Sequence, residues 1–468
     1  MACPSGDNGA LDLCARQVRP LLAGELMSRW ATRFRRRQYL KGSLWALPLC
    51  GCIIGVLLAQ LLLWIDRTVQ VKTLVHYSSG TATGVLTAII GAMVALLGFV
   101  VTIGVLVIQQ ATATLSPRFM RLWYRDRLQK VVLATFAGTF TYSFALLRRV
   151  DTNFVPDLGV TIAGIAVAVS LILLLVYLNR FTHALRPVAV AAMVEQAGER
   201  VFDQWQQILA RQHVNSDHAA GEFDATATPP VLFEQAGAIQ AIHLSGLVAT
   251  AAEHDCLMVL GHTAGDFVAP GDVFVEIKTR AGGKPSTPPD PEQLRGLVAL
   301  GVERTIEQDP AFALRIIVDI GIKALSPAVN DPTTAVQILD YIETFLHRIC
   351  TADLRDQYPY ADRTGMPRVV IPGRTWVEYL QLAVTEIRTY GTQSVQVCRR
   401  LRSLLNGLLV VVAPDRRDAV QAELFLLDEG IAKSFPDAAS LAIARVSDPQ
   451  GIGAPVMEWT YTHRGRRQ

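Results

Sequence analysis

The feature that most constrains this chain is an uncharged stretch that runs from Tyr77 to Pro117. A helix needs about 20 apolar residues to cross the hydrocarbon core of a bilayer. Because this stretch is about twice that length, we expect one transmembrane helix that tilts strongly or projects beyond the membrane.

Three further stretches are apolar enough to cross a membrane: Gly42–Ile65, Val131–Leu147 and Leu158–Asn179. The chain is 51% hydrophobic and only 18% charged, which is unusual for a wholly soluble protein. The predicted fold class is therefore a membrane α-helical protein with four transmembrane helices and a cytoplasmic α+β region. In that region a small β barrel-like unit precedes a helical domain. The spans are predicted at about residues 42–65, 82–110, 131–147 and 158–179.

These patterns predict the domain organisation of the whole chain. The predicted segments are a basic cytoplasmic N-terminus at 1–41, a transmembrane domain at 42–183, an amphipathic helix and linker at 184–230, the β unit at 231–280, a helical cytoplasmic domain at 291–447 and a tail at 448–468.

Lysine and arginine residues beside the spans predict the orientation, because cytoplasmic loops retain these side chains. The segment before the first span and the connection between the second and third spans are strongly basic, whereas the other two connections are nearly neutral. The segment before the first span contains Arg29, Arg33, Arg35, Arg36, Arg37 and Lys41. The connection between the second and third spans contains Arg118, Arg121, Arg125, Arg127 and Lys130. Both termini are therefore predicted to be cytoplasmic, in a multi-pass protein of the bacterial inner membrane.

The second span carries a seam of small residues at four-three-four-three-four spacing, which places them on one face of a helix. The seam consists of Gly84, Ala88, Gly91, Ala95, Gly98 and Thr102. Such a seam could pack against another helix of the same subunit. Alternatively, it could self-associate about a symmetry axis, so that copies of this helix line a central pathway. The mouth of that pathway would then carry Gln109, Gln110, Thr112 and Thr114.

The β unit contains a turn, Gly265–Asp272, with two glycines and a proline between strands. This turn resembles the hammerhead turns of lipoyl-like barrel-sandwich hybrids. The modified lysine of that family would lie in an exposed hairpin, and this sequence has none there, so we expect a structural or docking module. A short helix is predicted around Leu244–His254, with strands at Cys256–Leu260 and Val273–Lys278.

Two Asp-Pro pairs mark helix starts in the region that follows. Asp309-Pro310 and Asp331-Pro332 each supply an N-cap followed by proline at the first helical position. The residues between and around them form a candidate polar cluster that could converge on a ligand or a neighbouring subunit. Its members are Arg315, Asp319, Lys323, Ser326, Asn330, Asp331 and Thr334. The alternative interpretation is a helix–turn–helix held by capping bonds, with Asp319 ion-paired in a partly buried setting.

The C-terminal third is predicted to be mostly helical. Helices are expected at Thr375–Tyr390, Ser394–Leu408 and Asp415–Phe435, with a short strand at Leu409–Val412.

Three stretches resemble a bacterial family of predicted membrane proteins, domain of unknown function 2254. They are Gln109–Asp126 with its Ser116-Pro117-Arg118-Phe119 core, Val131–Tyr142 with Thr135–Phe140, and Asp309–Ala335 with the run Ala324-Leu325-Ser326-Pro327-Ala328-Val329-Asn330-Asp331-Pro332-Thr333-Thr334-Ala335. The resemblance covers nearly the whole chain and implies four spans and a cytoplasmic C-terminal domain.

The sequence excludes several function classes. The net charge is +3 and the basic residues flank the spans, which does not indicate a nucleic-acid partner. The spacing of His243, His254 and His262 matches no standard metal site. The sequence has no GxSxG, no GK[ST] phosphate loop and no HExxH. We therefore expect no enzyme, no catalytic residues, no cofactor and no metal.

Two hypotheses remain. One is a homo-oligomeric channel or passive transport protein with a cytoplasmic regulatory domain, since no ionisable residue lies in the middle of a span, as a coupled transporter would require. The alternative is a membrane-anchored ligand-binding sensor or scaffold without transport activity. The lipid bilayer is the expected partner in both, and the ligand is unknown.

Overall fold

The computed structural model describes residues 30–69, 76–114, 118, 126–152, 154–184, 186–210, 223–226, 229–280 and 288–452. The chain divides into two compact units. The membrane unit is Gln38–Val190, and the C-terminal unit comprises the described residues of Ala191–Gln468 and of Met1–Arg37. The predicted tail from residue 453 onward and the loop residues Ser116, Pro117 and Phe119 lie outside the described residues.

Up to residue 210, the described part of the chain contains six helices. They are α1 (Trp30–Gly42), α2 (Ala46–Val69), α3 (Ser79–Thr114), α4 (Arg127–Leu147), α5 (Asp157–Ala184) and α6 (Pro187–Ala210). The four predicted spans are confirmed as helices long and apolar enough to cross a membrane. The candidate spans are Ala46–Asp66, Ser79–Gln110, Arg127–Leu147 and Asp157–Arg180.

Helix α4 is the central helix of the membrane unit. In an 18-residue apolar window of its span 56% of the residues are buried, against 22% to 28% in the corresponding windows of the other three. Its polar residues Thr139 and Ser143 are buried rather than facing lipid. The third apolar stretch is short in the sequence because α4 packs mainly against other helices. It therefore exposes less surface to lipid and needs fewer apolar residues than the other spans.

Helices α2 and α4 cross with their backbones very close together, at Gly51 and Gly55 of α2 and Gly138 of α4. A Cβ atom added at Gly51 would lie 2.2 Å from the carbonyl oxygen of Ala134, and one at Gly55 would lie 2.3 Å from that of Gly138. The Thr141 hydroxyl donates a hydrogen bond of 3.1 Å to the carbonyl oxygen of Cys52 across this crossing. Gly51 and Gly55 form a GxxxG pair, whose lack of side chains allows two backbones to approach closely.

Helix α3 buries one apolar face against α4 and α5, while large side chains elsewhere on it, such as Phe99 and Leu106, are exposed. The buried face contains Ala82, Leu86, Ile89, Met93, Val100 and Val107. The first four of these residues join Tyr142, Leu146 and Val160 in one cluster, and Val100 joins Phe136 and Leu174 in another. Bulky apolar side chains therefore hold α3 within its own subunit.

The C-terminal unit contains nine strands in its described part. They are β1 (Phe223–Thr226), β2 (Val231–Leu232), β3 (Gly237–Ile242), β4 (Cys256–Leu260), β5 (Phe267–Val268), β6 (Val273–Arg280), β7 (Val298–Gly301), β8 (Gln357–Ala361) and β9 (Pro367–Pro372). Its further helices are α7 (Leu244–Glu253), α8 (Pro291–Arg295), α9 (Pro310–Ala324), α10 (Pro332–Ile349), α11 (Trp376–Gly391), α12 (Val395–Val411), α13 (Arg417–Ser434) and α14 (Ala438–Ala444).

The strands form two open sheets, which corrects the prediction of a barrel-like unit confined to residues 231–280. One sheet has the order β1-β6-β4-β9-β8, with β2 also pairing with β6, and the other has the order β5-β3-β7. Strand β4 pairs in parallel with β9, placing Met258 opposite Val369. The sheets therefore recruit strands from beyond residue 280, and neither closes on itself.

Helices α9 to α13 form the helical part of the C-terminal unit. Helix α6 packs closely on it, because a Cβ added at Gly198 would lie 2.6 Å from Ala313 Cβ and 2.9 Å from the ring of Phe345. The helices predicted at 375–390, 394–408 and 415–435 are present as α11, α12 and α13. The short strand predicted at Leu409–Val412 is wrong, since α12 continues to Val411. The buried residues Leu404, Leu405 and Leu408 hold its last turns in a helix.

Candidate functional site

The small-residue seam of α3 faces away from the core of the membrane unit. Gly84, Ala88, Gly91, Ala95, Gly98 and Thr102 are all exposed. The seam and the buried face are offset by two residues, which is about 200° around a helix. The two faces of α3 are therefore on opposite sides.

The seam glycines meet no part of the described chain. A Cβ atom added at Gly84, Gly91 or Gly98 would find no atom within 4 Å. The Thr102 hydroxyl donates to the carbonyl oxygen of Gly98 on its own helix, at 2.9 Å. Among the described residues, this geometry argues against the first interpretation of the seam, in which it packs against another helix of the same subunit.

The expected mouth of a pathway lies at the C-terminal end of α3. The side chains of Gln109 and Gln110 are exposed there. The side chains of Thr112 and Thr114 lie outside the described residues.

The predicted polar cluster contains an ion-pair network centred on Arg315. Its Nε lies 3.0 Å from Asp319 Oδ1 on the same face of α9. Its two terminal nitrogens donate to both carboxylate oxygens of Glu386 on α11, at 2.8 and 3.1 Å. Bidentate pairing with Glu386 raises the pKa of Arg315. Arg315 therefore ties α9 to α11, a partner that the sequence pattern did not identify.

The loop members of the cluster cap the two helices. Asp331 Oδ1 accepts from the Thr334 backbone N–H at 3.0 Å, and Asp331 Oδ2 lies 2.5 Å from the Thr334 hydroxyl. The Ser326 hydroxyl donates to the Lys323 carbonyl at 2.7 Å, at the end of α9. Asn330 has a φ of 48°, in the left-handed region that asparagine tolerates better than most residues. These bonds explain the polar residues as parts of a tight turn, and their convergence on a ligand stays a prediction.

A cavity of about 230 Å³ opens elsewhere in the C-terminal unit. Its lining comes from α6, the end of β3, the start of α7, the turn after β4, the segment before α9 and the β8–β9 region through the start of α11. Trp205, Tyr358 and Tyr360 contribute aromatic rings, and Asp309, Arg374 and Tyr379 contribute polar groups.

Asp309 is the most deeply buried charged residue in the cavity lining, with 3% of its surface exposed. Its Oδ1 caps α9 by accepting from the Phe312 N–H at 3.1 Å. Its Oδ2 is buried and accepts no hydrogen bond from the described residues, although Arg304 Nε lies 3.9 Å away. Burial raises the pKa of Asp309, against the opposing effects of Arg374 and Arg304.

Sequence reasoning identified Asp309 only as a helix cap and missed the cavity. The lining residues are separated by up to about 180 positions along the chain, between Val201 and Tyr379, and share no local motif. An aspartate before a proline predicts a helix cap made by one carboxylate oxygen. The pattern does not show whether the other carboxylate oxygen accepts a hydrogen bond. Only the three-dimensional arrangement distinguishes Asp309 from Asp331.

The described residues contain no group of three or more His, Cys, Asp and Glu side chains arranged to hold a metal ion. His243 stacks on the ring of Trp30 at a centroid distance of 4.8 Å. His262 Nδ1 lies 3.9 Å from Asp266 Oδ2.

Comparison with known proteins gives one family match and several relatives. A family model described as a predicted membrane protein matches residues 41–407. An uncharacterized protein of Mycobacterium bovis is 30% identical over 421 residues, which cover 86% of this chain and 79% of the relative. Uncharacterized proteins from two strains of Mycobacterium tuberculosis have the same identity and coverage. No solved structure matches the chain significantly.

Proposed function

We propose a function for this chain from one premise: the chain belongs to DUF2254, a family of predicted membrane proteins. On this premise we propose a homo-oligomer of the bacterial inner membrane that forms a channel or other passive transport pathway. The C-terminal unit would act as its cytoplasmic regulatory domain. The proposal assigns no catalytic residue, metal or cofactor, and no nucleic-acid partner.

The observation that carries the proposal is the exposed seam on α3. Association of transmembrane helices depends on close van der Waals packing, and small residues permit the closest approach. The GxxxG crossing of α2 and α4 uses glycine in this way within the subunit. The seam of α3 offers the same kind of surface with no described part of its own chain against it, so we assign a second copy to it.

A passive mechanism agrees with the chemistry of the spans. Copies of α3 that meet along the seam around an axis would surround the pathway. Coupled transport needs ionisable groups within the membrane. The sequence places none in the middle of a span.

The proposed orientation follows from the basic segments beside the spans, which favour both termini in the cytoplasm. A reporter that is active only in the cytoplasm, fused after Gln468, should be active, and a periplasmic reporter at the same place should be inactive. The reverse pattern would refute the proposed topology.

Oligomeric state tests the seam. Native mass spectrometry of the full chain in nanodiscs should give a multiple of the 51.1 kDa chain mass. Gly91→Leu should shift the distribution to monomer, because leucine blocks close approach. Ala92→Leu is the matched control, since Ala92 is also exposed and lies about 100° away around α3. A monomeric wild type, or an oligomer that Gly91→Leu leaves intact, would overturn the interface.

Flux measurements test the pathway separately. Liposomes containing the wild type should release small ions or uncharged solutes faster than empty liposomes. Gly91→Leu should reduce the release and Ala92→Leu should not. An oligomer that passes no solute would leave the interface standing and remove the transport function.

A second candidate function is a membrane-anchored ligand-binding sensor without transport. The cavity in the C-terminal unit favours it, because apolar pockets with a few convergent polar groups are typical of small-molecule sites. A wild type that binds a ligand but shows no flux would support this candidate.

A further inference from the structure

The cavity beside Asp309 has the size and composition of a small-molecule site. Its volume of about 230 Å³ is below the range of roughly 300–1,000 Å³ that is usual for drug-sized ligands, so its occupant should be small. It lies within the C-terminal unit and needs no second copy of the chain.

The aromatic wall of the cavity is fixed in place. Trp205 Nε1 donates to the Tyr360 hydroxyl at 3.2 Å, and the Trp205 ring meets the Tyr358 ring edge-on at a centroid distance of 4.6 Å. The Tyr358 hydroxyl accepts from the Arg355 N–H and donates to the Asp353 carbonyl. Because these polar atoms already have partners, the wall can offer a ligand the faces and edges of its rings. Such a wall is suited to a flat ring compound.

The polar end of the cavity has one acceptor without a donor. Asp309 Oδ2 is buried and accepts no hydrogen bond from the described residues, which is rare for a buried carboxylate oxygen. Its position is closely defined: a Cβ at Gly265, where φ is 95°, would lie 1.9 Å from it. Tyr379 is buried beside the same cavity, and burial together with the charge of Asp309 raises its pKa, so its phenol stays neutral.

The charges around Asp309 disfavour a charged ligand. Arg304 and Arg374 both act on the Asp309 carboxyl, so an ammonium group placed there would meet two like charges. Arg374 is itself paired with Asp266 at 3.3 Å, and Glu307 also lines the cavity, which disfavours an anion. A neutral N–H group satisfies the acceptor without adding charge.

We propose that this cavity binds an uncharged, planar nitrogen heterocycle of one or two rings, whose ring N–H donates to Asp309 Oδ2 while the rings lie against Trp205 and Tyr358. This assignment goes beyond the transport proposal. It does not depend on oligomeric state, so either can fail without the other.

Binding is tested with the full chain in nanodiscs and a defined set of probes. The probes are uracil, hypoxanthine, indole and benzimidazole, each measured by isothermal titration calorimetry up to millimolar concentration. The matched controls are 1,3-dimethyluracil, 1,9-dimethylhypoxanthine, 1-methylindole and 1-methylbenzimidazole, which keep the rings and lose the N–H. At least one probe should bind, and its methylated counterpart should bind at least tenfold more weakly.

Two variants locate the site. Asp309→Asn keeps an oxygen to cap α9 but replaces the second acceptor with a donor, so affinity should fall at least tenfold. Asp290→Asn makes the same change at the Asp290-Pro291 cap of α8, outside the cavity lining, and should bind like the wild type. Leu244→Trp introduces bulk at a half-buried lining position and should abolish binding, which provides a test should Asp309→Asn fail to fold.

Several results would overturn the assignment. They are the absence of binding by all four probes, equal binding of probes and methylated controls, and wild-type affinity in both Asp309→Asn and Leu244→Trp. Binding of benzoate or benzylamine in preference to the neutral probes would also contradict it, since these carry charges that the site should reject.

Discussion

Glycine residues of the membrane helices occupy two distinct environments. Gly51 and Gly55 lie where a side chain would collide with the backbone of α4, whereas Gly84, Gly91 and Gly98 face open space. A substitution at the first group must separate two helices of one subunit. A substitution at the second group leaves the subunit intact and affects only what docks on it.

We predict that Gly55→Leu destabilises the monomer by about 3 kcal/mol or more, the upper range for overpacked sites. A Cβ there would lie 2.3 Å from the Gly138 carbonyl oxygen and 2.6 Å from the Thr141 hydroxyl. Thermal unfolding in detergent is the measurement, with Gly91→Leu as the control that should unfold like the wild type under monomeric conditions. Equal stability of Gly55→Leu and wild type would contradict the crossing geometry.

Glu195 on α6 has a pKa that its surroundings raise. It is 5% exposed, and burial together with the neighbouring Glu199 raises its pKa from 4.5 to about 7. The folded state thus binds the proton more tightly than the unfolded state. The stabilisation is fully present below about pH 4.5 and is lost as pH rises to about 7.

We predict that the melting temperature of the full chain falls between pH 5 and pH 7.5 and that Glu195→Gln flattens this fall. Glutamine resembles the protonated acid and cannot ionise. Glu199→Gln tests the neighbour, because it removes the adjacent charge and should make the fall smaller. A wild type and Glu195→Gln with parallel pH profiles would show that Glu195 does not titrate in this range.

At the scale of elements, local signals were enough to place most helices. Asp309-Pro310 and Asp331-Pro332 begin α9 and α10 as predicted, because a cap bond and a proline act within one turn. The four spans were predicted for a similar reason, since lipid requires a continuous apolar run in each helix. Such features are properties of adjacent residues.

We predict that Asp331→Ala lowers the free energy of unfolding by about 1 kcal/mol, the usual loss for an N-cap. The variant loses the acceptor for the Thr334 N–H at 3.0 Å and the contact with the Thr334 hydroxyl. Chemical denaturation measures the change, and Asp331→Asn should retain most of the stability. A loss of several kcal/mol would instead indicate that the turn supports contacts beyond capping.

The sheets could not be predicted in the same way. Strand β4 pairs with β9 more than 100 residues later, and β3 pairs with β7 beyond the predicted end of the β unit. Residues 231–280 therefore looked like a self-contained barrel in the sequence, while their edges are completed by distant strands. The error at Leu409–Val412 has a related cause: valines favour strands locally, but packing of α12 overrides that preference.

Candidate sites were predictable to the extent that their residues are periodic. The seam of α3 repeats along one helix and was visible in the sequence. The GxxxG pair at Gly51 and Gly55 is equally local, but the lack of charge that identifies the first span does not reveal which helix it crosses. The cavity had no local signal, since its lining residues become neighbours only when α6, β3 and the β8–β9 region come together.

At the scale of the whole molecule, the chain combines a four-helix membrane unit with a C-terminal unit of two open sheets and a helical part. In the membrane unit α4 is the most buried of the four spans. Helix α3 packs inside this unit through the face that carries Leu86, Ile89 and Met93. The remaining small-residue face is what links the single chain to the proposed assembly. The central claim is therefore that α3 meets α3 of another copy along this seam.

Cysteine crosslinking in native membranes tests that claim most directly. A disulfide requires two Cα atoms within about 7 Å of each other, so it reports close approach of two helices. Under mild oxidation, Gly91→Cys should give a species of twice the chain mass, while Ala92→Cys and the wild type, with its natural cysteines, should give little. Crosslinking that is equal in Gly91→Cys, Ala92→Cys and the wild type would contradict an interface along the seam.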